Sequence, residues 1–147
     1  MHGLLQYSLV ARLGRYGILN QRAAEVTLPL AAKHNVGIMN MAAAREKLPD
    51  PQRLEETMAD WKDRGLVAPD ALEPSKPLDW LIGGEVDSVV SAGYKFGAEP
   101  EVISTVLTGT ATIAHLEENA AALRGGMLPA EHSQRLRDLF GHIVEYA

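Results

Sequence analysis

The chain has 147 residues, of which 46% are hydrophobic and 22% are charged, and it carries a formal net charge of −5 at pH 7. These values suit one folded domain and exclude wholesale disorder, and the acidic balance argues against nucleic acid or an anionic membrane as partner. Because the chain has no cysteine, disulfides, thiolate catalysis and cysteine-ligated metals are excluded, which suits a cytoplasmic protein.

The first part of the chain alternates short apolar segments with a helical pattern. Residues Leu4–Val10 are apolar and β-prone, with turn residues soon after them, and predict a first strand. A helical pattern covers Ala23–His34. Proline is tolerated only in the first turn of a helix, so Pro29 predicts that this helix begins late. Val36–Met41 predicts a second strand.

A long excursion follows the second strand. Residues Ala42–Pro77 predict a long loop with one inserted helix. The helix is expected to begin at Asp50-Pro51, where a capping residue precedes a proline, and to end at Arg64-Gly65. Its apolar face has the spacing i, i+4, i+7 and consists of Leu54, Met58 and Trp61.

The remaining chain predicts four further elements and a short helical turn. Leu78–Ile82 indicates the turn, Glu85–Phe96 a helix, and Val102–Leu107 a third strand. Thr112 is expected to cap a helix that ends at Arg124, and Pro129 to open a last helix. The inward face predicted for the helix after Thr112 consists of Leu116, Ala120 and Leu123.

Strands separated by helices favour parallel β-α units, and mainly apolar strands are typical of sheets covered on both faces. The sequence therefore predicts an α/β fold with about three parallel strands. So small a parallel sheet leaves its edges open unless something covers them.

The stretch Ser104 to Asn119, STVLTGTATIAHLEEN, carries the chain's best binding signal. It takes an apolar strand through Thr108-Gly109-Thr110 to a helix N-terminus, a place where backbone N–H groups and the helix dipole favour a phosphate. Glycine and threonine are also common in ordinary strand-to-helix turns, where Thr112 would only cap the helix. The local pattern leaves both interpretations open.

A longer comparison favours binding. Thr108 to Asn119 resembles the cofactor-binding segment of the aldo/keto reductases, in which the eighth strand of a (β/α)8 barrel runs into the eighth helix. Leu4–Ser8 looks like the sixth strand of that family, Leu28–Ile38 like its sixth helix and seventh strand, and Pro129–Ile143 like the helix after the barrel. The resemblance implies a partial (β/α)8 TIM barrel with outer helices, formed by the whole chain as one incomplete domain.

The family binds NADP or NAD, and the resemblance implies a set of cofactor-binding positions here. Gly109, Thr110 and Thr112 would lie along the adenosine-side phosphate, and His115, Glu118 and Asn119 near the adenine. Gln6 matches a glutamine that holds the nicotinamide carboxamide, and Met41 stands where an aromatic ring often stacks on the nicotinamide. Gly109 replaces a frequent lysine on the 2′-phosphate, which leaves NADP versus NAD open, and Ala42 replaces a frequent serine.

The family's catalytic group of Asp, Tyr, Lys and His belongs to the early strands of the barrel, and no residue of this chain matches it. A complete barrel needs about 250 residues. We therefore expect the C-terminal, cofactor-binding portion of an NAD(P)-dependent oxidoreductase that is inactive alone. We predict no catalytic and no metal-binding residue in the chain; Tyr94, in a predicted helix, is interpreted as packing.

The sequence leaves two further interpretations open. Because its strand edges are open, the chain could be a non-catalytic α/β module that binds a nucleotide, or that associates with itself or with a missing N-terminal half. It could also be a truncated gene product with no independent function. The strand residues expected to line the barrel interior are Leu5, Tyr7, Ile38, Asn40 and Val106.

Overall fold

The computed structural model describes residues 11–44 and 47–144. Within these ranges, three parallel strands form one sheet in the order β1 (Ala11–Gly14), β2 (Gly37–Asn40) and β3 (Ile103–Val106). The α-helices are α1 (Thr27–Lys33), α2 (Pro51–Asp63), α3 (Val89–Ala98), α4 (Ile113–Arg124) and α5 (Ala130–Phe140), and short 3-10 turns cover Arg22–Ala24 and Asp79–Leu81. The predicted α/β class with three parallel strands is confirmed.

Strand β1 directly follows the segment where the first strand was predicted. The predicted strand Leu4–Val10, with Leu5, Gln6 and Tyr7, lies outside the described residues. The strand that pairs with β2 is Ala11–Gly14, a segment whose glycine favours a turn locally. Pairing overrides that local preference, and Gly14 suits the close approach, because an added Cβ would lie 3.0 Å from Cγ2 of Ile38.

The helix starts follow local signals. Helix α1 begins at Thr27, so Pro29 falls in the first turn, where the missing N–H costs no intrahelical bond; the predicted late start is confirmed. Asp50 caps α2, as predicted, by accepting a hydrogen bond from the Arg53 N–H at 3.2 Å. Helix α3 begins at Val89 instead of Glu85, because the Ser88 hydroxyl caps it.

The inner and outer faces of the sheet are the reverse of the prediction. Ile38 and Asn40 are almost fully buried, and Val106, the β3 partner of Asn40, is half-buried. These side chains face the helices, because Asn40 donates to the Gly97 carbonyl of α3 and Val106 packs in a small cluster with Tyr94 of the same helix. The expectation that the three line the barrel interior was wrong.

Within the described ranges, the opposite face of the sheet is largely uncovered. It carries Leu13, Met39 and Thr105, which alternate with the helix-facing residues and are paired across the three strands. The side chain of Leu13 is 58% exposed. In a complete barrel this face would be the interior.

Large apolar side chains are also exposed beside the two edge strands of the sheet, β1 and β3. We call Leu13, Val26 and Leu30 the β1 flank, and Leu107, Ile113 and Leu116 the β3 flank; all six are at least 41% exposed. The predicted inward face of α4 was therefore wrong for Leu116. Helix α4 instead buries Asn119 and Ala122.

A buried asparagine joins the sheet to the helices. The Asn40 Oδ1 accepts the Tyr16 N–H at 3.0 Å, and its Nδ2 donates to the carbonyls of Tyr16 at 2.6 Å and Gly97 at 2.9 Å. The side chain is fully buried. One amide thus satisfies the backbone after β1 and the end of α3 together.

We expect Asn40→Ala to lower the free energy of unfolding by about 3 kcal/mol, because three buried backbone groups lose their partner. Asn40→Asp should cost as much or more, since a carboxylate would face two carbonyl oxygens. Urea denaturation measures both. Asn35→Asp is the matched control: Asn35 is exposed, so that variant should change stability by less than about 0.5 kcal/mol. Equal effects at the two positions would contradict this role of Asn40.

Candidate functional site

A cleft of about 560 Å³ lies beyond the carboxyl end of β3, between the first turns of α3 and α4. Ligands of α/β folds bind at this end of the strands, and the volume falls within the roughly 300–1,000 Å³ typical of small-molecule sites. The lining residues come from the loop after β2, from α3, and from the turn before α4 with its first turns: Ala44, Pro49, Asp87, Ser88, Val90, Ser91, Tyr94, Gly109, Thr110, His115, Glu118, Asn119 and Ala121.

Five of the predicted cofactor-binding residues share this cleft. Gly109 and Thr110 lie in the turn after β3, and His115, Glu118 and Asn119 lie along one side of α4. On a helix the spacing i, i+3, i+4 puts side chains on one face, so these three point the same way. The fold gathers them around one space.

Thr112 has a structural part in the same turn. Its hydroxyl accepts the His115 N–H at 3.4 Å and caps α4, while its own N–H donates to the Thr110 hydroxyl at 3.2 Å. The cap leaves other N–H groups of the first turn for a ligand. Thr112 does not itself line the cleft.

The two predicted nicotinamide-side residues are not part of the cleft. Met41 follows β2, is half-buried, and donates its N–H to the Gly14 carbonyl at 3.0 Å. Gln6 lies outside the described residues. The described part of the chain therefore brings together the adenosine-side set only.

Helix α3 supplies a wall of the cleft that the sequence analysis missed. Asp87, Ser88, Ser91 and Tyr94 all line it, whereas Tyr94 was interpreted as packing. Tyr94 does pack, in a cluster with Ala43 and Ala122, but it also faces the cleft. The i, i+3 spacing of Ser88, Ser91 and Tyr94 was a usable signal, because it places three polar groups on one helical face.

One polar atom in this wall has no protein partner. Ser91 is only 7% exposed, and its Oγ makes no hydrogen bond. A buried hydroxyl without a partner costs free energy, which a ligand in the cleft could recover by bonding to it. Nearby, burial raises the pKa of the Tyr94 phenol, so that group stays protonated at neutral pH.

Polar contacts hold α3 and α4 together beneath the cleft. The buried Lys95 of α3 donates its Nζ to the Gly126 carbonyl just after α4, and the Gly126 N–H donates to Oε2 of Glu85 at 2.6 Å. A Cβ at Gly126 would lie 2.0 Å from that carboxylate oxygen, so a larger residue there would displace the Glu85 side chain. The two walls are thereby fixed relative to each other.

The charges around the cleft are mainly negative. Asp87 and Glu118 are carboxylates, His115 is the one imidazole, and among the described lining residues there is no lysine or arginine. Arg45 and Glu46 follow Ala44, lie outside the described residues, and have opposite charges. No group of acidic or imidazole side chains that could hold a metal ion occurs in residues 11–44 and 47–144.

The fold is similar to that of solved aldo/keto reductases. The chain superimposes on the aldo-keto reductase AKR11C1 from Bacillus halodurans with a TM-score of 0.60 for the holo form and 0.58 for the apo form, at 19% sequence identity in both cases. The match covers 92% of this chain but only 44% and 45% of those chains, so the chain spans less than half the length of that reductase.

These structural neighbours confirm the predicted partial barrel. No protein-family model and no curated protein matches the sequence, so the likeness establishes the fold alone. None of the helices in the described ranges combines the length and apolar character that a membrane crossing requires.

We expect Thr112→Ala to lower the free energy of unfolding by about 1 kcal/mol, because α4 loses its N-terminal cap. Thr112→Ser keeps the hydroxyl and serves as control. Amide hydrogen exchange localises the effect: protection should fall in the first turn of α4 and remain unchanged in α2. Unchanged protection at the His115 N–H would show that the long 3.4 Å contact does not cap the helix.

Proposed function

We propose that this chain is the C-terminal, cofactor-binding portion of an NAD(P)-dependent oxidoreductase of the aldo/keto reductase type. The observation that carries the proposal is the cleft: five residues named from the family's cofactor segment surround one space, in a chain whose fold matches part of such a reductase. In the complete enzyme the reaction is hydride transfer between the cofactor and a carbonyl or alcohol.

The cleft fits the adenosine side of a dinucleotide. The turn at Gly109 and Thr110, beside the N-terminus of α4, offers backbone N–H groups and a hydroxyl to a phosphate. An adenine would find a flat ring and hydrogen-bonding groups on α4, supplied by His115, Glu118 and Asn119. Ser91, whose hydroxyl has no protein partner, lies on the opposite wall. The cofactor itself would supply the hydride.

The proposed contribution of this chain to the reaction is to hold the cofactor in position. Met41 and Gln6 are proposed to face the nicotinamide, while α3 and α4 hold the adenosine end. Proton transfer and most substrate contacts would come from the catalytic Asp, Tyr, Lys and His group, which no residue of this chain matches. We propose that the remainder of a barrel covers the uncovered sheet face and both flanks.

The uncovered sheet face and the two flanks support a second candidate function, which is association. The β1 flank borders a groove of about 890 Å³ that mixes apolar side chains such as Val26 and Leu30 with Arg12 and Arg15. Exposed apolar patches beside free strand edges are typical of association sites. The alternative is a non-catalytic α/β module that binds a nucleotide or associates with itself.

We expect the purified chain to bind nucleotide without turnover. 5′-AMP, at 100 times its dissociation constant, should stabilise the fold by about 2.7 kcal/mol and raise the melting temperature, whereas nicotinamide mononucleotide, which lacks the adenosine, should not. Neither NADH nor NADPH should be oxidised when an aldehyde is added. Turnover of the aldehyde would contradict the proposed lack of a catalytic group.

Sedimentation velocity distinguishes the two functions. If the flanks are covered only by the rest of a barrel, the chain alone should remain monomeric when dilute, and Leu116→Glu should leave its sedimentation unchanged. A concentration-dependent dimer that Leu116→Glu dissolves would instead favour the self-associating module. Glu117→Gln, at a neighbouring exposed position, is the control.

A further inference from the structure

The charges that line the cleft bear on which nucleotide it accepts. We propose that Asp87, together with Glu118, makes the cleft select an adenine nucleotide with a free ribose 2′-hydroxyl, such as NAD, over its 2′-phosphorylated form. The inference rests on the proposed function, since it specifies the ligand of the same site.

Two observations point to a ligand at this position. Ser91 lines the cleft, and its hydroxyl is buried without a protein partner. The cleft also lies beside the first turns of α3 and α4, which contribute Ser88 and His115 to its lining, and N–H groups at a helix N-terminus favour an anionic group such as the 5′-phosphate.

The discrimination follows from charge. Asp87 lies just before the Ser88 cap, on the wall opposite α4, while Glu118 lies on α4 itself. Carboxylates accept hydrogen bonds from ribose hydroxyls and are a common means of recognising an unphosphorylated ribose. A 2′-phosphate in the same space would add about two negative charges between two carboxylates, with no lysine or arginine among the described lining residues to compensate.

Gly109 provides a way to reverse the selection. A Cβ added there would meet no atom within 4 Å, and its φ is not in the left-handed region. A long cationic side chain therefore fits at the edge of the cleft without moving the backbone.

The test compares two ligands that differ only in the 2′-phosphate: 5′-AMP and adenosine 2′,5′-bisphosphate, titrated calorimetrically into the full chain at low salt. We expect 5′-AMP to bind about tenfold more tightly. Asp87→Asn should reduce this ratio about fivefold, and Gly109→Lys should invert it. Asp63→Asn, which removes an exposed carboxylate of α2 outside the cleft, should leave the ratio unchanged.

Ser91→Ala separates binding from folding. It should weaken both ligands by the same factor, about tenfold, without lowering the melting temperature, because the hydroxyl has no partner in the folded protein. A lower melting temperature with unchanged affinity would assign Ser91 a purely structural part and remove it from the site.

The failures are distinguishable. If neither nucleotide binds at millimolar concentration, the proposed cofactor function is wrong, and the selectivity falls with it. If both bind and the bisphosphate binds as tightly or more tightly, the nucleotide site stands and the selectivity is overturned.

Discussion

The positions of the cleft walls depend on one buried amide. Asn40 is the last residue of β2. Its side chain forms hydrogen bonds both with the backbone of Tyr16, after β1, and with the Gly97 carbonyl near the end of α3. The approach is close enough to require glycine, because a Cβ at Gly97 would lie 2.4 Å from Cβ of Ala43. An apolar residue at the end of β2 would bury the same area but would leave the carbonyls without a partner and α3 without a fixed register. From this anchor α3 extends back toward the cleft, and α4 docks on α3 through Lys95 and Gly126.

The site is consequently assembled by helices, while the sheet only delivers the chain to it. Parallel strands end at one edge, and β3 delivers Gly109 and Thr110 there. The second wall comes from α3, which precedes β3 in the chain and runs back to the same edge. Ser91 of α3 and Asp87, which lies just before that helix, make the cleft both more negative and more polar than the segment after β3 implies. A nucleotide in the cleft would therefore contact α3, which precedes β3 in the chain, as well as the turn that follows β3.

Local signals predicted where most elements begin, because caps and prolines act within one turn: Asp50 and Thr112 start helices as expected, and Pro29 marks a late start. They failed where the answer depends on a distant partner. Leu116 fits an amphipathic pattern, yet it is exposed because α4 instead buries the side chains of Asn119 and Ala122. Asn40 looked like an interior residue because alternation along a strand does not say which face the helices cover. The local pattern also did not predict the register shift between β2 and β3: Ile38 pairs with Ile103 and Met39 with Thr105, so Ser104 is skipped. Most of the α4 wall could be predicted by resemblance; the α3 wall could not, because it requires the tertiary structure.

The order of the strands in the sheet also constrains how the chain folds. Strands β1 and β2 are joined through a 3-10 turn and α1, whereas β2 and β3 are separated by α2, the irregular segment after it and α3. Pairings so distant in sequence close large loops before they gain any contact, and they slow folding. The helical excursion that supplies one wall of the cleft therefore slows folding. The cleft forms only after β3 has paired with β2, because Gly109 and Thr110 follow β3 in the chain.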